Sequence, residues 1–134
     1  MQKIEPSEFN ALPFNSTSWD YSKGGFYLIR NSNTNKCYVG KSKNLFNRLR
    51  SHLTNARANK GIFIDKSMHG YLNDFEFYII SWYVDIGINF FTRKLELPME
   101  QYYIKEFKSN FPSGYNIKNY ESISIKPEFL GLFV

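Results

Sequence analysis

One cysteine, Cys37, stands among the 134 residues. A lone thiol excludes an intramolecular disulfide and fits a reducing compartment. No apolar run approaches the roughly 20 residues that a membrane-spanning helix needs, which argues against a membrane partner. The N-terminal stretch MQKIEPSEFN lacks the charged n-region and apolar h-region of a secretory leader, so an intracellular location is expected. Internal repeats, low-complexity tracts and domain linkers are missing too, and the length is that of one ordinary domain with a single core.

The most informative absence is local. Between Asp20 and Asp65 there is no acidic residue, while Lys23, Arg30, Lys36, Lys41, Lys43, Arg48, Arg50, Arg57 and Lys60 all fall inside that window. A net charge of +5 is modest for the whole chain, but this concentration is the electrostatic footprint of a polyanionic partner. Taken alone, a run of charge is more often a solvated face. Its coincidence with the motifs below favours nucleic acid.

A hydrophobic content of 43% with 19% aromatic residues excludes a disordered chain. The stretch from Gly24 to Leu53 carries the clearest organisation. Phe26 to Ile29 is β-branched and aromatic, Asn31 to Asn35 is turn chemistry, and Cys37 to Val39 is a second short apolar run. Together they predict a β-hairpin. Gly40 ends it, Ser42 is the expected helix cap, and Leu45, Leu49, Leu53 and Ala56 recur at helical spacing. With Leu45 at zero, those four fall between 0° and about 80° around the helix. Arg48 lands near about −60° and His52 near about −20°, along one border of the apolar stripe, with Arg50 and Arg57 beyond the other. Arg48 and His52 can therefore stand side by side at the rim of the core.

Gly25-Phe26-Tyr27, Tyr38-Val39-Gly40, Arg48 and His52 one turn apart, Glu100, and the pair Tyr115-Asn116 occur in that order. These residues resemble the GIY-YIG nuclease family over about residues 24 to 117. Phe26 and Val39 replace the isoleucines of the family name, both conservative apolar changes. Lys41-Ser42-Lys43-Asn44-Leu45 is similar to the same stretch of the family's bacterial excision-repair nuclease. The resemblance implies a metal-binding role for Glu100, phosphate binding by Arg48, and a tyrosine base assisted by nearby cations. It places Tyr27, Tyr38, Arg48, His52, Glu100 and Asn116 in the active site, with Mg²⁺ or Mn²⁺ on Glu100.

The residues can also be weighed one by one. Glu100 shares a helical face with Tyr103, Ile104 and Phe107, and a carboxylate inside an apolar stripe is costly unless paired or bound to a cation. A salt bridge is the ordinary explanation; metal ligation is the one the resemblance favours. Glu96, one turn earlier, and Glu106, on the other face, are the rivals. An oxygen ligand completed by water and phosphate suits Mg²⁺ or Mn²⁺. Arg48 offers a planar fork to phosphate oxygens. His52 has an ordinary pKa near about 6.5 and Tyr27 near about 10, so a tyrosinate needs Lys41, Arg48 or the metal to lower it. In a chain with 10 tyrosines, plain core packing is the rival role for either Tyr27 or Tyr38. Asn116 would orient Glu100 or a water, or else simply sit in a turn. Lys41, Lys43, Arg50 and Arg57 are the expected DNA contacts.

Elsewhere, Phe75 to Val84 reads as a strand apolar on both faces, hence central; Ile62 to Met68 as a short helix closed by Gly70; and Leu97 to Lys108 as a helix. His69 has no partner at ligand spacing. Residues 1–23 are too apolar to float free and should drape over the core, and the greasy end of the 118–134 tail should pack on the body or on a second copy. The expected fold is α/β (α+β), a small three-stranded, mainly antiparallel sheet flanked by helices. The expected function is metal-dependent endonucleolytic hydrolysis of DNA, leaving 5′-phosphate and 3′-hydroxyl ends, with a homodimer as the form that cuts both strands. The rivals are a nucleic-acid-binding module without chemistry and an RNA-directed nuclease or toxin.

Overall fold

The computed structural model describes residues 1–9 and 20–117. Four strands form one antiparallel sheet in the order β1-β4-β2-β3, with β1 at Gln2–Ile4, β2 at Gly25–Asn31, β3 at Cys37–Ser42 and β4 at Phe75–Trp82. Helices α1 (Pro6–Phe9), α2 (Leu45–Arg57), α3 (Phe63–Met68) and α4 (Glu96–Glu106) flank it. None of the described helices is long and apolar enough to cross a membrane.

The mixed, antiparallel architecture is the expected one, with one strand more. The fourth strand comes from the N-terminal segment, where Gln2, Lys3 and Ile4 pair with Ile79, Tyr78 and Phe77. Three residues are too few to leave an alternation signal, and what seats them is burial of Ile4 and Phe9 in the core shared with Phe77 and Ile79. The expected draping of residues 1–23 thus becomes strand pairing over its first few residues. Residues 10–19 and the 118–134 tail, for which packing on the body or on a second copy was expected, lie outside the described residues.

The β2–β3 hairpin forms where turn chemistry predicts it. The Asn31 side chain accepts from the backbone of Asn33 (2.9 Å) and Thr34 (3.3 Å), and Asn35 takes a left-handed φ of 64°. The helix cap differs from expectation. Ser42 is still part of β3, and its hydroxyl exchanges bonds with the Asn44 backbone; Asn44 itself caps α2 by accepting from Asn47 N at 3.2 Å. The helix expected over Leu97 to Lys108 runs instead from Glu96 to Glu106.

Alternation along β2 divides the core. Tyr27 and Ile29 pack with Leu45, Leu49, Leu53 and Ala56 of α2, with Ile64 and Met68 of α3, and with Phe77 and Ile79 of β4. Leu28 packs on the opposite side with Cys37, Val39 and Ile104 of α4, and Phe26 with Tyr21 and Tyr83. β4 is an inner strand with apolar residues to both sides, as expected. Cys37 is buried and free, and burial raises its thiol pKa, so it behaves as a small core residue. Opposite the step from Phe26 to Tyr27, the pairing register with β4 shifts, a bulge of the kind that re-aims side chains.

Gly40 lies directly across from Tyr27 in the ladder, and the tyrosine ring lies over it. A Cβ at position 40 would stand 2.3 Å from both Cζ and Oη of Tyr27. The glycine is therefore required by the neighbour, not by its own dihedrals. Gly40→Ala should cost about 2 kcal/mol through overpacking, read as a lower denaturation midpoint. The Tyr27→Leu, Gly40→Ala double variant should lose less than the two single losses added together.

Candidate active site

The two signature tyrosines arrive on neighbouring strands with their side chains on the same face. Tyr27 is 1% exposed and Tyr38 is half-buried, with ring centroids 6.1 Å apart. Both rings pack on His52 of α2, at 5.5 and 5.6 Å between centroids. The Tyr27 hydroxyl is 2.7 Å from His52 Nε2. On the other side of the imidazole, Nδ1 is 2.5 Å from Asp65 Oδ1.

His52 was expected at the rim of the core and is instead completely buried. The reason is α3, which packs on α2 and brings Ile64 and Met68 into the core and Asp65 under the imidazole. Arg48 keeps the rim position, half-buried, with its charge close to both tyrosines. Burial drives the Tyr27 phenol well above its usual pKa, the nearby Tyr38 adds to this, and the Arg48 guanidinium pulls the other way without prevailing. Burial likewise raises Tyr38, opposed by Arg48 and reinforced by the Glu100 carboxylate. Burial lowers His52, with Asp65 opposing and Arg48 assisting, a direction that favours the neutral imidazole.

Glu100 belongs to α4, which packs on the opposite face of the sheet from α2. It is 2% exposed, and its charge reaches Tyr38 and Tyr83. β3 borders the sheet, so groups from the two faces share an approach around its outer edge. Glu96 is buried one turn earlier, accepting from the Tyr83 hydroxyl at 3.3 Å and facing Lys41 Nζ at 3.7 Å. Glu106 is exposed. Among the described residues no group of three or more His, Cys, Asp or Glu could hold a metal ion. A zinc-type site is thereby excluded there, whereas one buried carboxylate suits a hard divalent cation that brings water and borrows substrate oxygens.

Asn116 does something the sequence did not suggest. Its side-chain Oδ1 accepts from Val39 N at 2.8 Å and its Nδ2 donates to Val39 O at 2.9 Å. Tyr115 N donates to Cys37 O at 2.9 Å. The Tyr-Asn pair thus occupies outward-facing backbone groups of the border strand at Cys37 and Val39. These bonds to Val39 are a structural duty additional to the expected one of orienting Glu100 or a water.

The expected DNA contacts divide. Lys41 faces Glu96, Lys43 is exposed with Nζ 5.6 Å from the Tyr21 ring centroid, and Arg57 is exposed at the end of α2. Arg50 turns to the N-terminal segment, donating to Phe9 O at 3.2 Å and Asn47 Oδ1 at 2.7 Å. Lys41 and Lys43 line one hollow with Arg93, Lys94 and Glu96. Arg93 and Lys94 had been missed, although a basic pair just before an acidic helix start is legible. A cleft of about 480 Å³ opens beside Tyr38, Arg48 and Asn116. Asp65 was missed as well; its signal is an acid three residues after the helix-capping position Ile62, where it bonds back to Ile62 N at 3.1 Å.

The family model of the GIY-YIG catalytic domain matches residues 23–116. The chain belongs to the GIY-YIG family. Among solved structures, the catalytic domain of homing endonuclease I-TevI is similar at 30% identity and a TM-score of 0.59, over 71% of this chain and 98% of that one. A mutant of the same I-TevI domain matches with a TM-score of 0.58, again at 30% identity, over 71% of this chain and 93% of its own. A Neurospora crassa protein named "Probable intron-encoded endonuclease 1" is 32% identical over 96 residues, 72% of this chain. This chain spans 30% of that protein's length. The fold and the order of the GIY-YIG motifs are therefore shared with nuclease catalytic domains.

The Asn116 geometry makes a stability prediction separable from catalysis. Asn116→Ala leaves the Val39 N–H and C=O without their partner, at about 2 kcal/mol or more. Chemical denaturation should show that loss without metal or substrate present.

Proposed function

We propose that this GIY-YIG domain is a metal-dependent endonuclease that hydrolyses DNA phosphodiester bonds, leaving 5′-phosphate and 3′-hydroxyl ends. The observation that carries the reading is the buried Tyr27–His52 hydrogen bond of 2.7 Å beside the Arg48 guanidinium. The names of the matched proteins, a homing and an intron-encoded endonuclease, support DNA as the substrate.

The substrate phosphate enters the cleft beside Arg48, whose fork binds the non-bridging oxygens and stabilises their growing charge. Tyr38, which lines that cleft and packs on Tyr27 and His52, holds the attacking water. A buried phenol with a raised pKa supplies no standing tyrosinate, so Tyr27 acts together with its neighbour. Its oxygen takes the proton of the water as its own proton passes to the neutral His52 Nε2. Tyrosine and histidine are thus one base rather than rivals. Glu100, with its carboxylate buried and near Tyr38, would hold the divalent ion, Mg²⁺ or Mn²⁺. When bound, that ion supplies Lewis-acid stabilisation of the phosphate and of the departing 3′ oxygen. Lys41, Lys43, Arg93 and Lys94 extend the basic surface for flanking phosphates. A second copy would supply the site for the other strand. A binding module without chemistry would gain nothing from burying the Glu100 carboxylate.

Supercoiled plasmid should be nicked or linearised with Mg²⁺ and left intact with chelator. Glu100→Gln should cut at least a hundredfold more slowly while binding DNA as before; unchanged cleavage would remove the metal assignment. The pH–rate profile follows from the shifts. His52 is depressed, so activity should fall only as pH drops through a value below the ordinary histidine pKa of about 6.5. Above that it should stay flat through neutrality, because Tyr27 is raised and releases no proton on its own there. A rate climbing steadily from pH 7 to 10 would instead signal a free tyrosinate.

A further inference from the structure

We propose that Asp65 is the positioning residue of the site: it locks His52 in the tautomer with Nδ1 protonated, so that Nε2 stands open to the Tyr27 hydroxyl. The inference rests on the Tyr27–His52 reading above and adds a third member. Asp65, His52 and Tyr27 are 0%, 0% and 1% exposed, and each contact in the row is short: 2.5 Å at Nδ1 and 2.7 Å at Nε2.

A neutral imidazole carries one N–H and one lone pair. If the proton sat on Nε2, the Nδ1 lone pair would face a carboxylate oxygen at 2.5 Å, two acceptors with nothing between them. With the proton on Nδ1, that contact becomes a charge-assisted hydrogen bond and Nε2 accepts from Tyr27. The groups facing the imidazole are Tyr27 and Tyr38 from the sheet, Arg48 from α2 and Asp65 from α3. Asp65 is the only anion in direct contact with the imidazole among the described residues, so it also stabilises the imidazolium that forms when Tyr27 passes its proton on. That proton stays on Nε2 until the cleaved ends leave, and then returns through the Tyr27 hydroxyl to water in the emptied site.

The carboxylate is itself held in place. Its Oδ2 accepts from Ile62 N at 3.1 Å and from Asn55 Nδ2 at 3.5 Å. Gly61, with φ of 91°, gives it room, since a Cβ there would stand 2.2 Å from Oδ2. A residue serving only to cap α3 needs one oxygen at Ile62 N. The second oxygen is spent on His52.

Asp65→Asn keeps the volume and can still cap α3, but its amide can present an NH₂ group to Nδ1 and turn the imidazole to the opposite tautomer. DNA affinity should be unchanged, and the single-turnover cleavage rate should fall at least a hundredfold, with the acid limb of the pH profile displaced. In a Tyr27→Phe background, Asp65→Asn should cause almost no further loss, because both variants break one relay. Independent losses that multiply, or cleavage within threefold of wild type, would overturn the proposal. The ¹⁵N spectrum of the wild-type imidazole gives a test that needs neither activity nor a folded variant. Protonation at Nδ1 in the neutral ring is expected, and protonation at Nε2 would overturn the proposal. Should the protein not cleave DNA at all, this spectrum still decides the role of Asp65 separately from the function.

Discussion

A single buried hydrogen bond, between a strand tyrosine and a helix histidine, ties the sheet to the helix beside it. Tyr27 comes from the inner strand β2 and His52 from the middle of α2, and neither is reachable by bulk solvent. A buried phenol or imidazole without a partner would cost roughly 1–3 kcal/mol, so each fixes the other. Several other features serve that contact. Gly40 is bare so that the Tyr27 ring can cross it, and α3 lies over α2 so that Asp65 can reach the far nitrogen. The Tyr-Gly spacing of the second motif thus answers to the tyrosine of the first.

Much of this was legible in the chain. Apolar runs around an Asn-rich turn located the hairpin, alternation from Phe75 located β4, leucine spacing located α2, and the helical angles put Arg48 at the border of the apolar stripe, where it is half-buried. Less legible features share a cause: they depend on contacts between segments far apart in sequence. His52 is buried rather than at the rim because α3, which carries Asp65 13 residues further along the chain, covers it. Asn116 bonds to Val39 across a separation of 77 residues, which no local pattern encodes. The first strand is three residues long and pairs with β4, and so short a segment has no periodicity to read.

Electrostatics follow the same division between surface and interior. The acid-free window of the sequence leaves its cations exposed or half-exposed on and around the hairpin and α2, and the acid that ends the window, Asp65, is turned inside, one oxygen to His52 and the other to Ile62 N and Asn55. A surface carboxylate at that point would have weakened the positive field of the window. Across the sheet, Glu96 and Glu100 are both buried on one face of α4, with Lys41 facing the first. The exposed acids Glu5, Glu8, Asp85 and Glu106 all lie outside the acid-free window, and Arg48 is the charged residue that lines the cleft.

The Tyr115-Asn116 segment has an effect beyond shaping the cleft. A border strand with vacant N–H and C=O groups is a template on which another chain can build, and proteins guard such borders against sheet-to-sheet aggregation. Here the outward groups of Val39 and the carbonyl of Cys37 are already satisfied from within the chain. The opposite border, Gln2–Ile4, is only three residues long. The first half of the β3 border is thus occupied from within the chain, and the opposite border is too short to offer much purchase, so both edges of the sheet are poor templates for copies zipping into fibres.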